Sequence, residues 1–397
     1  MDKTQKLKII DHWLGTPTCV MFGLVNKLLH PFQKSFINIS GKRPPKKILI
    51  IKFFGLGSIT LASSLLKGIK KTYPDAALIF LTFKNNANLL QRLNICDKII
   101  TVDPTNLFSF IFSSISSLIY FSFNRPDVCF DLEFYSKFST IMSFLSGARW
   151  RAGFYLPQFW RSSLVNVPIH FNHTKHILEI YSMFGHAIGV DNYPLVTAPI
   201  QIEQAENQWA DAYLAQNKNF LLGINIHASD LAHCRRWPIE YFAQVINSLA
   251  KDHRNISIFL TGSQAEQAYT KLLITLIEKN ALSQVIDLSG QLNFGKYLAL
   301  LKKLNLFLTN DSGPFHLANA MGTKTISIWG PGDPKLYGPY QNQDERTEVI
   351  YKNYPCSPCM YIYQTDAGFF CHKQTPCLQE TKPDEVIKII NDKLPSL

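Results

Sequence analysis

From Lys47 onward the chain alternates between short, continuous apolar runs and longer stretches with helical spacing. Lys47–Lys52 (KILIIK) is apolar at nearly every position, as a parallel strand covered on both faces requires. A glycine-bearing turn follows, then a predicted helix over Ile59–Thr72, ended by Pro74. Ala77–Phe83, Ile99–Val102 and Val128–Leu132 read as further strands, with helices between them. Tyr193–Ile200 holds two prolines and little periodicity, which suits an inter-domain linker. A helix near Glu203–Ala215 opens a second series. Its strands are Phe220–Ile226, Ile256–Thr261, Val285–Asp287, Leu304–Thr309 and Thr325–Trp329, and its helices begin near Pro238, Gln264, Phe294 and Pro314. Repeated βα units predict parallel sheets. The fold class is therefore α/β, with two Rossmann-like doubly wound domains facing a cleft, over 46–195 and 196–345. Ligands of such sheets bind at the carboxyl ends of the strands.

Two segments stand outside this alternation. Residues 1–45 form an extension in which Leu7–Leu14 and Val20–His30 read as amphipathic helices, broken by Gly15-Thr16-Pro17. Lys6, Lys8, Lys27 and Lys34 flank Trp13, Leu14, Phe22, Leu24 and Leu28, a mixture that suits a membrane interface or packing on the main body. Thr105–Asn124 carries no charge and is rich in Phe, Ile and Leu, with six serines between Ser109 and Ser122. Its length is marginal for a span, so a buried or interfacial helix is expected.

Composition narrows the classes. Hydrophobic residues make up 46 % and charged residues 17 % of 397, which excludes a disordered chain. The formal charge of +11 favours anionic partners: an acidic membrane surface or phosphorylated small molecules. No dense Lys/Arg run interleaved with aromatics marks a nucleic-acid site, so no nucleic-acid partner is expected. Without a convincing signal peptide, a cytoplasmic chain with reduced thiols is expected. Cys356, Cys359, Cys371 and Cys377 cluster near the C-terminus, within the tail 346–397. Structural zinc, disulfides and free thiols all stay open for them.

The strongest chemical signal is Thr309-Asn310-Asp311-Ser312-Gly313-Pro314-Phe315-His316. An apolar strand ends in a small polar turn and a helix begins at once. Asp311 or Ser312 can cap that helix. Free N–H groups and the dipole at its start favour a diphosphate, and His316 can add a donor.

This segment, continued through Gly322 to Pro331, resembles the donor-site signature of family 9 glycosyltransferases, the heptosyltransferase-like enzymes of lipopolysaccharide synthesis. Lys47–Asp75 resembles the family's opening motif. His227-Ala228-Ser229 with Arg235-Arg236-Trp237-Pro238, and Thr261-Gly262-Ser263 with Glu266, resemble two further blocks. The resemblance implies a GT-B fold, inversion, no metal and no cofactor. The donor would be a nucleotide-sugar, ADP-heptose or similar, and the acceptor a glycolipid or lipopolysaccharide core at the inner face of the cytoplasmic membrane. It places Asn310, Asp311, Ser312, Gly313, His316, Arg235, Arg236, Glu266, Ser229 and Gly262 at the donor.

One position departs from the family pattern. The family's first turn ends in an aspartate that acts as general base. Here the turn Phe53-Phe54-Gly55-Leu56-Gly57-Ser58 has Ser58 in that place, with Gly55 and Gly57 beside it on the acceptor side. Asp131 and Glu133, at the end of strand Val128–Leu132, are the substitute carboxylates. Glu133, beyond the strand, is expected as the base and Asp131 as structural. A catalytically inactive nucleotide-sugar or glycan binder is the alternative, and an epimerase or hydrolase of related fold a third. Arg149, Arg151 and Gly153, with Arg161, would meet an acidic acceptor or form a solvated basic patch.

Overall fold

The computed structural model describes residues 11, 13–29, 44–134, 136–155, 160–228, 233–340, 345–360 and 375–394. They form two compact units, Met1–Ile200 and Gln201–Leu397.

The first unit carries strands β1 (Lys47–Ile51), β2 (Ala77–Phe83), β3 (Lys98–Val102), β4 (Val128–Asp131), β5 (Trp150–Phe154) and β6 (Val167–Ile169). They lie parallel in the order β3-β2-β1-β4-β5-β6. Ile48–Ile51 are wholly buried, which is why this strand reads as an unbroken apolar run. The last two strands were hidden in the sequence. β5 (WRAGF) contains an arginine, and edge strand β6 contains Pro168. Arg151 is tolerated inside because its Nε and Nη1 donate to the carbonyls of Leu164 and Ala148, at 2.9 and 3.0 Å.

The second unit repeats the topology. Strands β7 (Phe220–Asn225), β8 (Ile256–Leu260), β9 (Val285–Asp287), β10 (Leu306–Asn310), β11 (Thr325–Trp329) and β12 (Thr347–Tyr351) order as β12-β11-β10-β7-β8-β9. In both sheets the order reverses beside the first strand, between β1 and β4 and between β7 and β10. That switch point is where an open α/β sheet leaves a crevice for a ligand. The tail completes this unit: Val386 and Ile390 of the helix Pro383–Asn391 are fully buried in the core beneath Ile239–Asp252.

One boundary in the extension changes. Asp11 and Trp13 are helical, Leu14 turns, and the next helix runs over Gly15–Leu29, so it starts at Gly15 rather than at Val20. Pro17 falls in the first turn, where its missing N–H is not needed. Residues 1–10 and 30–43 lie outside the described residues. The Tyr193–Ile200 segment, expected as the linker, ends at the boundary between the two units and is laid along the first. The Ala198 N–H donates to Ser63 Oγ at 2.8 Å, and the Tyr193 ring covers Gly68.

If the tail helix is part of the core, Ile390→Ala should destabilise the protein by about 2–4 kcal/mol, the cost of emptying a buried aliphatic site. Urea unfolding measures it, and a loss below about 0.5 kcal/mol would place that helix outside the core.

Candidate functional site

At the second switch point, the end of β10 is fixed by side chains. Asn310 is wholly buried. Its Oδ1 accepts the Trp237 N–H at 3.0 Å, and its Nδ2 donates to the His227 carbonyl at 3.2 Å. Asn310 thus clips the loop after β7 to the end of β10, and its amide is spent within the protein. Next along the chain, Asp311 is buried and its Oδ1 faces Arg235 Nη1 at 3.4 Å. Burial raises the Asp311 pKa, and the Arg235 charge opposes the rise. Among the described residues, the buried Nε of Arg235 finds no hydrogen-bond partner.

The helix Gly313–Met321 then begins, with Ser312 at its N-cap position and Pro314 in its first turn. The expected cap is not made. Ser312 Oγ donates back to the Asn310 carbonyl at 3.2 Å, and Asp311 is committed to Arg235. No side chain of the N-cap therefore covers the positive end of the helix, which suits an anion. His316, partly buried on the first turn, sets its ring against Phe315 at 4.9 Å.

The remaining predicted donor residues are placed as follows. Arg236 Nη2 donates to the Ala228 carbonyl at 3.3 Å, and its guanidinium lies 4.9 Å from the Tyr269 ring centroid. Glu266 closes a capping box, its Oε2 accepting the N–H and hydroxyl of Ser263 at 2.7 and 2.8 Å. Gly262 lies against His227, whose Nε2 would be 2.8 Å from an added Cβ, so a side chain there would have to displace the buried His227 ring. Ser229 lies outside the described residues.

At the first switch point the turn after β1 is held by Glu133. Its Oε1 accepts the N–H groups of Phe53 and Phe54 at 2.7 and 2.8 Å, and its Oε2 pairs with Lys52 Nζ at 3.0 Å. Asp131, one residue-pair back, pairs with Arg161 at 3.0 Å and accepts from the Thr140 hydroxyl at 2.8 Å. Both carboxylates are buried. Burial raises the Asp131 pKa against the pull of Arg161. Gly55 takes φ +85°, a conformation that L side chains rarely adopt. It lets the helix Leu56–Thr72 start at once, with Gly57 and Ser58 in its first turn.

A family model described as glycosyltransferase family 9 (heptosyltransferase) matches residues 136–365. The chain belongs to this family. A lipooligosaccharide heptosyltransferase 2 of Campylobacter jejuni is 30 % identical over 177 residues, 45 % of this chain and 52 % of the relative. In that alignment the chain spans about half the length of the curated relative. A lipopolysaccharide core heptosyltransferase of Haemophilus influenzae, OpsX, is 26 % identical over 78 % of this chain and 86 % of its own length. Among solved structures, the ADP-heptose heptosyltransferase II of E. coli superposes with a TM-score of 0.70 at 18 % identity, covering 87 % and 98 % of the two chains. The expected fold class, two Rossmann-like domains of GT-B type, is the one found.

Within this family 9 chain, several expectations need correction. Glu133, expected beyond the strand as the base, does lie beyond β4, and it is buried with both oxygens engaged. Two amide donors and an ammonium occupy the carboxylate. Arg151 and Arg161 were expected to meet an acidic acceptor or to form a solvated basic patch, but both are buried and bonded internally. Of the three arginines only Arg149 is exposed. Gly153 lies within β5, where an added Cβ would touch Val165.

Spacing along the chain does not reveal the pairing of Lys52 or the clip made by Asn310. A lysine closing an apolar strand at its buried end needs a carboxylate, and here Glu133 Oε2 lies 3.0 Å from its Nζ. Cys356 is exposed, Cys359 is partly buried, Cys377 is buried beside Gly330, and Cys371 lies outside the described residues. Among the described residues no three His, Cys, Asp or Glu side chains gather as metal ligands.

Removing Arg161 leaves the buried Asp131 carboxylate uncompensated. Arg161→Met should therefore cost about 3–5 kcal/mol in urea unfolding. A cost under about 1 kcal/mol would mean that water solvates the carboxylate and the pair does not hold this strand end.

Proposed function

We propose that this protein transfers a heptose or related sugar from a nucleotide-sugar, ADP-heptose or similar, to a lipopolysaccharide core or other cell-surface glycan. The observation that carries this reading is the Arg235–Asp311 pair beside the helix start at Gly313, on the switch point of the second sheet. A guanidinium and a helix dipole neutralise a departing nucleoside diphosphate without a metal ion. Arg235 meets the diphosphate, Asp311 orients Arg235, and His316 and the Gly313 end of the helix add donors. Arg236 and Ser229 are assigned as further donor contacts. The names of the relatives, which specify heptose transfer to lipopolysaccharide or lipooligosaccharide, support the substrate class. Transfer is a single displacement with inversion: the acceptor oxygen bonds to the anomeric carbon as the diphosphate leaves with its electron pair, and the acceptor hydroxyl's proton passes to a general base.

On the acceptor side we assign the turn Gly55–Ser58. Glu133 is the base candidate, and its contacts give it a second reading as the residue that positions this turn. Glu133→Gln separates them. A base role predicts a loss of about 10²–10⁴ in kcat with acceptor KM unchanged. A positioning role predicts a smaller kcat loss with a raised KM. Asp131→Asn is expected to lower stability and leave the kcat of the folded fraction near that of the parent. The site of action is the inner face of the cytoplasmic membrane, with the protein bound peripherally.

Calorimetry with a panel of nucleotide-sugars tests the donor site. Asp311→Ala and His316→Ala should each weaken binding by about 1–3 kcal/mol. Unchanged binding in both folded variants would move the donor site elsewhere. Turnover, read as nucleotide release, should persist in excess EDTA. Complete inhibition reversed by Mg²⁺ would contradict the metal-free mechanism.

A further inference from the structure

The helix Leu107–Phe123 is built inside out for a water-soluble surface. It buries Ser114, Ser117 and Phe121, and turns Leu107, Phe108, Ile111, Phe112, Ile115, Ile119 and Phe123 outward. Phe108, Phe112 and Phe123 are 80, 67 and 82 % exposed. The helix carries no charged residue. Its serine hydroxyls bond back to its own carbonyls: Ser113 to Ser109, Ser114 to Phe110, Ser117 to Ser113 and Ser122 to Ile119, at 2.6 to 2.7 Å. Hydroxyls satisfied in this way tolerate an apolar surrounding that unpaired ones would not.

The extension helix repeats the pattern. Gly15, Cys19 and Gly23 face the body, while Met21, Leu24 and Leu28 face out, with Trp13 exposed just before the helix. Both helices pack against Lys137–Leu145. Phe110 meets Phe138 at 4.7 Å, and Phe22 meets Phe144 at 5.4 Å. Each thus packs one side against the same helix. Neither contains an aspartate or glutamate.

Charge selects the occupant. Residues 1–200 hold 22 Lys and Arg against 10 Asp and Glu, a formal +12, whereas residues 201–397 hold 18 against 19, a formal −1. The whole basic excess thus lies on the unit that bears the apolar face. Among the described residues no helix is long and apolar enough to cross a membrane. The 17-residue helix is about 25 Å long, short of the ~30 Å hydrocarbon core.

We propose that Leu107–Phe123 and Gly15–Leu29 together form a face that inserts into one leaflet of an anionic bilayer, lying in its plane. This deepens the peripheral-membrane part of the reading above. It makes Leu107–Phe123, and not the extension alone, the main anchor.

The test uses the full chain and flotation with vesicles of phosphatidylethanolamine and phosphatidylglycerol, with pure phosphatidylcholine as the uncharged control. The protein should float with the anionic vesicles and bind the control more weakly. The triple variant Phe108→Ser, Phe112→Ser, Phe123→Ser should lower binding by more than about tenfold. Leu24→Ser with Leu28→Ser should lower it less. Should the triple variant not fold, acyl-brominated lipids provide a second reading on the unaltered chain. They should quench a share of the tryptophan fluorescence that Trp13→Phe removes.

No affinity of the wild type for anionic vesicles, or a folded triple variant that binds like it, would overturn the proposal. So would a concentration-dependent dimer that the triple variant dissolves, since the face would then cover a second copy. Donor calorimetry on the same samples stays independent. Intact donor binding without vesicle binding rejects this inference and leaves the transferase reading standing.

Discussion

Where a parallel sheet reverses its strand order, the backbone groups just past the central strands lose their ladder partners and have to be bonded by something else. This protein meets that constraint with buried polar side chains in both units. In the first, the carboxylate of Glu133 takes the Phe53 and Phe54 amides, and Lys52 balances its charge. In the second, the amide of Asn310 takes the Trp237 N–H and donates to the His227 carbonyl. Each clip fixes a loop at the strand edge where ligands of this architecture bind. Leaving any member unpaired would strand a polar group in a dry interior.

The same constraint separates residues that hold the site from residues free to act. Asn310, Glu133 and Asp131 are saturated by protein partners. Arg235 is not: one nitrogen of its guanidinium meets Asp311, while its Nε is buried and bonds to no described group. Beside it stands a helix start whose N-cap side chain turns back to the strand. That contrast directs attention to the diphosphate end of a nucleotide-sugar more than any motif alone. It also explains the value of an acidic residue there. Asp311 in isolation would repel a phosphate, but paired with Arg235 it aims a cation.

Much of this was legible in the sequence, and the reasons are specific. Strands buried on both faces, such as Ala77–Phe83 and Thr325–Trp329, are mostly apolar runs broken only by small hydroxyl residues. β5, β6 and β12 were missed because edge position and internal pairing let them carry Arg151, Pro168 and Glu348. The donor segment was visible because strand, polar turn and helix are contiguous. The partners of Glu133 were not: Phe53 lies 80 residues away, and spacing says nothing about which way a carboxylate turns. Pro17 misled for a related reason. Proline interrupts a helix interior but fits its first turn, and only the actual start of the helix decides between them.

The central claim is sugar transfer driven by a diphosphate held at Arg235. Its most direct test is the mass of the acceptor. Heptose-deficient lipopolysaccharide is incubated with ADP-heptose and the purified protein, and the core oligosaccharide is measured by mass spectrometry. The account predicts the addition of a single heptose, lost with Arg235→Ala while the variant stays folded. An unchanged acceptor mass across the nucleotide-sugar panel, with donor binding intact, would contradict it and identify the protein as a binder that does not catalyse transfer.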